Sequence, residues 1–245
     1  MTNAAPRVAV VLAGGLGTRV RHLLGALPKP LAPVAGRPFL EWVLRYLHGQ
    51  GVQRAILSAG YGAAQISDFA AGLQLRGMQV DVAAEPEPLG TAGGFLHAWH
   101  ALRPEGADVL VLNGDSLALA DLAPLGAALT NAAAAMLAVQ VDDASRYGSL
   151  AVDAQARLKG FAEKRAGAGA GLVNAGVYLF SRAAVDAFPP RRPLSFETDV
   201  FPALLGEGRP VQVVAAACPF LDIGTEASMA QAGRFITDNR HWFGD

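Results

Sequence analysis

Residues 12–30, "LAGGLGTRVRHLLGALPKP", place four glycines, two arginines and one lysine directly after an apolar run. Glycine lets backbone N–H groups approach an anion closely, and Arg and Lys neutralise it, so the stretch has the makings of a phosphate loop. Two common versions of such a loop do not fit. A dinucleotide fingerprint needs Gly or Ala three positions after its second glycine, and Gly15 and Gly17 are followed there by Val20. A Walker loop needs a Gly-Lys pair, which the chain lacks. Lys29 stands between Pro28 and Pro30, which fix the chain and aim the ammonium. It is one of three lysines, with Lys159 and Lys164, against seventeen arginines. A lysine kept amid that bias suits a tight phosphate contact, where a compact ammonium is not replaced by a planar guanidinium.

The elements that must carry this loop can be read from periodicity. "RVAVVLAG" (7–14) is a buried strand, and Pro38 opens a helix with Phe39, Leu40, Val43, Leu44 and Leu47 on one face. "RAILSAG" (54–60) is a second strand, followed by a weaker helical pattern over 62–73. "MQVDVAAE" (78–85), a helix from "GTAGGFLHAWHAL" (90–102) and "ADVLVLNGD" (107–115) continue the alternation. Strands and helices at this spacing predict right-handed crossovers and a mostly parallel sheet covered on both sides, an α/β fold. The second half is richer in strands: "AAAAMLAVQV", "GSLAVDA", "RLKGFAE" and "LVNAGVYLFS" precede a helix near 197–206, a strand at 210–217 and a last helix from about 225. No linker separates the halves; "RAGAGAG" (165–171) is too short and too embedded to be one. A single domain over 1–245 is expected, its halves meeting at about 115, with a β-rich, substrate-binding second half.

Composition excludes several classes. At 245 residues, 52% hydrophobic, 17% charged and a formal net charge of −1, the chain has no concentrated basic field for nucleic acid or a membrane surface. No apolar stretch reaches bilayer length, and the N-terminus lacks a basic n-region. The lone Cys218 cannot form an internal disulfide, reads as a small buried hydrophobe, and points to a reducing cytoplasm. His97 and His100 lie three apart on a helix whose apolar face is already set, with no third ligand near, so they read as packed or exposed rather than metal-bound.

With these pieces in view, "LAGGLGTR…PKPLAPVAGRPFLEWVL" resembles the signature of the sugar-1-phosphate nucleotidylyltransferases, the nucleotide-diphospho-sugar pyrophosphorylases. "EPEPLGTAGG", "VLNGDS", "SRYG", "FAEK", "NAGVY", "SFETDVFPAL" and "FLDIGT" follow in the family's order, so the resemblance covers residues 8 to about 229. It implies a Rossmann-like, three-layer α/β/α fold with a mixed central sheet. The implied reaction is attack by a sugar-1-phosphate oxygen on the α-phosphorus of a nucleoside triphosphate, with pyrophosphate leaving. A phosphate monoester has its second pKa near about 6, so this nucleophile is already ionised and needs no general base. The site must instead align and neutralise converging negative charges.

Residue by residue, the resemblance assigns Leu12, Ala13, Gly14, Gly15, Gly17, Thr18, Glu85, Gly90 and Thr91 to the nucleotide. Arg19 would hold the β- and γ-phosphates, and Lys29, expected to face solvent in the empty enzyme, would meet the α-phosphate. Asp115 and Asp222 would be the Mg²⁺ ligands. Gly148, Glu163, Lys164, Asn174 and Glu197 would bind the sugar phosphate, while Lys159 matches nothing. A carboxylate at Glu85 is acceptor-only and matches guanine's adjacent N1–H and N2 amino donors, which favours GTP; the glycines at 90, 93 and 94 would let a flat ring approach. The chain's short length and the wording "KPLAPVAGRPFLEWVL" most resemble members acting on D-glycero-α-D-manno-heptose 1-phosphate. Members using mannose 1-phosphate with GTP, or N-acetylmuramate 1-phosphate with UTP, are the alternatives, with a silent nucleotide-sugar sensor more remote. Oligomeric state, a homodimer included, stays open.

Overall fold

The computed structural model describes residues 7–102, 108–145, 147, 149–161 and 169–244. The first half runs β1 (Val8–Leu12), α1 (Arg21–Leu24), a 3-10 turn (Lys29–Leu31), the hairpin β2 (Pro33–Val34) and β3 (Arg37–Pro38), and α2 (Phe39–Gly49). It continues with β4 (Arg54–Ala59), α3 (Ala63–Gly72), β5 (Gln79–Ala84), α4 (Thr91–Leu102) and β6 (Asp108–Asn113). Then follow β7 (Ser116–Ala118), α5 (Ala123–Leu129), β8 (Ala134–Val141), β9 (Leu150–Val152), β10 (Leu158–Phe161) and β11 (Gly171–Ser181). The chain ends with α6 (Arg182–Val185), α7 (Phe201–Gly206), β12 (Val211–Ala216), β13 (Phe220–Asp222) and α8 (Glu226–Asp238).

Seven strands form one mixed sheet in the order β12-β8-β11-β6-β1-β4-β5. All its ladders are parallel except the two on either side of β11. The chain moves from β1 outward to β4 and β5, then returns to pair β6 on the other side of β1. That reversal opens a crevice beyond the carboxyl ends of β1 and β6, the place where open α/β sheets bind ligands. The glycine loop leaves β1 there, and Asn113-Gly114-Asp115 leaves β6.

Alternation along the buried strands covers both faces. Ala9, Val11, Leu110 and Leu112 face a core shared with α2 (Phe39, Leu40, Val43, Leu44 and Leu47), and Trp42 and Tyr46 join it. Val10, Val109 and Val111 face a second core with Phe95, Phe180, Phe196 and Phe201. Phe196 stacks on Phe180 at a centroid distance of 5.4 Å and lies 5.7 Å from Phe95, adding ring–ring attraction to the buried area.

Several elements depart from the sequence expectation. The helix read over 197–206 starts as a π-helical turn (Phe196–Val200), capped by Ser195, before α7. The short strands β7 and β13 pair with each other, and α5 fills a stretch with no strong pattern. Cys218 is half-buried rather than buried, and burial raises its thiol pKa. Among the described residues no helix is long and apolar enough to cross a membrane.

Candidate functional site

The loop after β1 is shaped by close backbone contacts. Ala13 N–H donates to the Ser58 carbonyl at 2.8 Å and Tyr61 N–H to the Gly14 carbonyl at 3.3 Å, tying the loop to the end of β4. Gly60 is needed there, because a Cβ on it would lie 2.8 Å from the Gly14 oxygen. Gly17 has φ +57°, and a Cβ on it would come 3.0 Å from Cβ of Lys29. Gly15, by contrast, faces open space.

Leu12, Gly14, Gly15, Gly17, Thr18, Arg19, Lys29, Glu85, Gly90, Thr91 and Asp115 together line one cleft of about 440 Å³. Ala13 sits behind it, fully buried. Leu16, Val20, Pro30, Pro88, Asn113 and Gly224 line the same cleft and are not among the residues the sequence assigns to it. The signal for Asn113 and Gly224 lies in "VLNGDS" and "FLDIGT", on either side of the two aspartates.

Lys29 is not solvent-facing as expected. It is 8% exposed, and its Nζ donates to Oδ2 of Asp115 at 2.6 Å. Packing of the 28–31 turn under Gly17 removes the stem from water, and the carboxylate compensates the buried ammonium. Asp222 reaches the same region through the β7–β13 ladder, in which Asp222 pairs with Ser116; Ile223 N–H also donates to the Asp115 carbonyl at 3.0 Å. Oδ1 of Asp222 accepts the Gly224 N–H. A Cβ on Gly224 would collide with that oxygen and approach Nη2 of Arg19 to 3.1 Å, so Arg19 borders Asp222.

Glu85 is held on both oxygens: Oε1 accepts the Ser58 hydroxyl at 3.0 Å and Oε2 the Leu89 N–H at 3.3 Å. Of the glycines beside it, Gly90 is exposed and lines the cleft, but Gly93 and Gly94 are buried and do not leave the open approach expected for a ring. A Cβ on Gly90, at φ +78°, would meet the Leu194 carbonyl at 2.5 Å, Gly93 faces Leu89, Arg192 and Leu194, and Gly94 faces Glu85 and Ser58. Their missing side chains make room for protein. The N-terminal amides of α4 follow suit: Ala92 and Gly93 donate to the Leu194 carbonyl at 2.9 and 3.1 Å, and Thr91 Oγ1 accepts the Phe196 N–H at 3.1 Å.

In the second half, Nδ2 of Asn174 donates to Oε1 of Glu197 at 3.0 Å and to the Tyr178 hydroxyl at 2.7 Å. Burial, then the Glu197 charge, push the Tyr178 pKa up against the Asn174 bond, so the phenol stays protonated. Gly148, Glu163 and Lys164 lie outside the described residues. Lys159 is an exposed lysine 3.7 Å from Asp153. Nε2 of His97 bonds the Ala84 carbonyl at 2.9 Å, and His100 is exposed.

The family model described as nucleotidyl transferase matches residues 8–239. A mannose-1-phosphate guanylyltransferase of Mycobacterium tuberculosis is 39% identical over 203 residues, covering 82% of this chain but only 56% of that protein. A D-glycero-alpha-D-manno-heptose 1-phosphate guanylyltransferase of Campylobacter jejuni is 34% identical over 189 residues, 77% of this chain and 82% of that protein. The crystal structure of HddC from Yersinia pseudotuberculosis complexed with GMP-PN superposes with a TM-score of 0.84 at 33% identity, covering 94% of this chain and 99% of that one. Because the match runs from the first strand of the sheet through the last long helix, the chain belongs to the nucleotidyl transferase family.

Proposed function

We propose that this chain transfers GMP from GTP to a sugar 1-phosphate, giving a GDP-sugar and pyrophosphate. The observation that carries the reading is the meeting, in one cleft at the sheet's switch point, of the glycine loop, Arg19, the Lys29–Asp115 pair and Glu85. The relatives named above are guanylyltransferases for sugar 1-phosphates, which supports both substrates.

In this reading a sugar-phosphate oxygen bonds to the α-phosphorus of GTP, and the bond from that phosphorus to the bridging oxygen breaks. The electron pair leaves with pyrophosphate. Lys29 faces the α-phosphate, where charge builds in the transition state, and Arg19 faces the β- and γ-phosphates. Leu12, Gly14, Gly15, Gly17 and Thr18 give the triphosphate a backbone wall, with Ala13 behind it and Gly90 and Thr91 opposite. Glu85 accepts from N1–H and N2 of guanine. Asn174 and Glu197 take sugar hydroxyls, with Gly148, Glu163 and Lys164 expected beside them.

The carboxylates of Asp115 and Asp222 fit Mg²⁺. They are hard oxygen donors, Asp222 on β13 and Asp115 immediately before its partner strand β7; Lys29 engages one oxygen of Asp115, and Gly224 engages one oxygen of Asp222. The second oxygen of each suits a cation that takes one or two carboxylates and fills the rest of its shell with phosphate and water. A pair of carboxylates completed by substrate phosphate and water is an arrangement that Mg²⁺ accepts. Mg²⁺ bound there would neutralise phosphate charge and orient the triphosphate. A reducing cytoplasm suits the single cysteine.

For the acceptor, D-glycero-α-D-manno-heptose 1-phosphate is favoured, because the relatives named for it match over 82% of their own length. Mannose 1-phosphate is the second reading, favoured by the higher identity, 39%, of the mycobacterial relative. Pyrophosphate release from GTP or UTP, measured with each acceptor in turn, tests both choices. With a common acceptor, kcat/KM should favour GTP over UTP by roughly tenfold to a hundredfold. Equal values would remove Glu85 from base selection, and no release with any pair would leave a silent binder.

A further inference from the structure

The Glu85 carboxylate sits in a built cradle. Besides its bonds to Ser58 and Leu89, it is enclosed by Gly14 and Gly94, where an added Cβ would lie 2.6 and 2.5 Å from Oε1. No other residue fits at those two positions while the carboxylate stays where it is. Ser58 closes the cradle from below. It is 1% exposed, paired in register with Leu12 at the end of β4, and its carbonyl holds the Ala13 N–H. A side chain so buried cannot touch a nucleotide, and any effect it has on one must pass through Glu85.

Resting on the guanine reading of Glu85, we infer that Ser58 is a positioning residue for base selection. A carboxylate offers about four lone-pair directions, and Ser58 and Leu89 take one on each oxygen. One direction on each oxygen is left, the number needed for guanine's adjacent N1–H and N2 donors. With the Ser58 bond in place, the carboxylate cannot turn about its Cγ–Cδ bond without breaking two hydrogen bonds and meeting Gly14 or Gly94. Without it, Oε1 keeps only the walls at Gly14 and Gly94 and the Leu89 bond on its partner oxygen, so it can turn toward the space the hydroxyl vacates, and the match to two adjacent donors is lost before the match to one. Ser58 therefore contributes to the preference for a 2-amino purine and not to triphosphate binding.

Inosine triphosphate is the discriminating probe, since it keeps N1–H and the triphosphate but lacks the 2-amino group. Calorimetric Kd values for GTP and ITP, with excess Mg²⁺ and no acceptor, give the preference directly. The unaltered protein should favour GTP by about tenfold or more, the worth of one hydrogen bond to a charged group. Ser58→Ala should cut that preference severalfold, with ITP affinity moving less than GTP affinity. Ser58→Cys is slightly larger and keeps a weak donor, so it should fall between, and it carries the test if the alanine variant does not fold. Glu85→Gln, which replaces one acceptor by a donor, should bring the ratio close to one. If Glu85→Gln keeps the full preference, the guanine reading itself fails. If Glu85→Gln abolishes it while the Ser58 variants keep it, or weaken both nucleotides equally, Ser58 only fills space and the positioning role is overturned.

Discussion

An ammonium that is 8% exposed is costly unless an anion compensates it, and Asp115 does so for Lys29 at 2.6 Å. The pair has two consequences at the scale of single residues. Lys29 is fixed in the cleft before any substrate arrives, so its charge needs little reorganisation in the transition state. It is also part of what holds the fold, which a solvent-facing lysine would not be. Lys29→Met keeps the stem and removes the charge, and kcat should fall by about a hundredfold or more. Stability should fall as well, by about 1–3 kcal/mol, less than for a fully buried pair because Asp115 is 35% exposed and water can reach it. Steady-state kinetics and urea denaturation of the same preparation read the two effects separately. A kcat within threefold of the parent would remove Lys29 from the chemistry, and an unchanged urea midpoint would mean that the ion pair adds nothing to the fold.

At the scale of elements, the start of α4 and the segment before α7 act as one unit. The Leu194 carbonyl takes two amides of α4, Leu194 N–H donates to the Leu89 carbonyl at 2.8 Å, and Phe196 N–H donates to Thr91. This strap seats Glu197 opposite Asn174 and Glu85 over the cleft. Gly90 is its tightest point, with φ +78° and the Leu194 backbone where a side chain would go. Gly90→Ala combines a left-handed backbone penalty with that collision and should cost at least about 2 kcal/mol, read as a lowered urea midpoint. It should also raise KM for the sugar phosphate, since Glu197 rides on the displaced segment. A variant with the parent's stability and both KM values would show that the strap yields freely. The strap was not legible in the sequence, where Gly90, Gly93 and Gly94 read as room for a ring, because nothing local announces that Leu194 will fill the space. What was legible is local: β1, β4 and β6 are short apolar runs ending in glycine or polar residues, and α2 and α4 carry apolar faces at helical spacing. The strands β7 and β13 were illegible for the opposite reason, being three residues each and existing only because Ser116 finds Asp222 far along the chain. Burial of Lys29 was equally hidden, because it depends on where the 28–31 turn lands under Gly17 rather than on the prolines that flank it.

The whole molecule is joined by β11, which runs antiparallel between β6 of the first half and β8 of the second and so makes one sheet of both. Three of the cleft's parts hang from that sheet at separate points, the glycine loop after β1, Asp115 after β6 and Glu85 after β5, while Asp222 borders the cleft from β13 in the small β7–β13 sheet. A ligand that touches all of them binds only when the sheet is intact, so its binding free energy adds to global stability. At a concentration about a hundredfold above Kd, MgGTP should add about 2.7 kcal/mol, which for a chain of this size corresponds to a rise in Tm of roughly 5–10 °C. If the cation is shared between Asp115, Asp222 and the triphosphate, EDTA should remove most of that rise while leaving the Tm of the nucleotide-free protein unchanged. Asp115→Asn should start from a lower Tm, because Lys29 loses its partner, and its rise with MgGTP should match the rise of the parent in GTP with EDTA. Differential scanning calorimetry of both proteins, each with and without nucleotide and chelator, supplies the comparison. A Tm that falls by several degrees when EDTA is added to the free protein would make the metal structural, and a full MgGTP shift in Asp115→Asn would place the cation elsewhere.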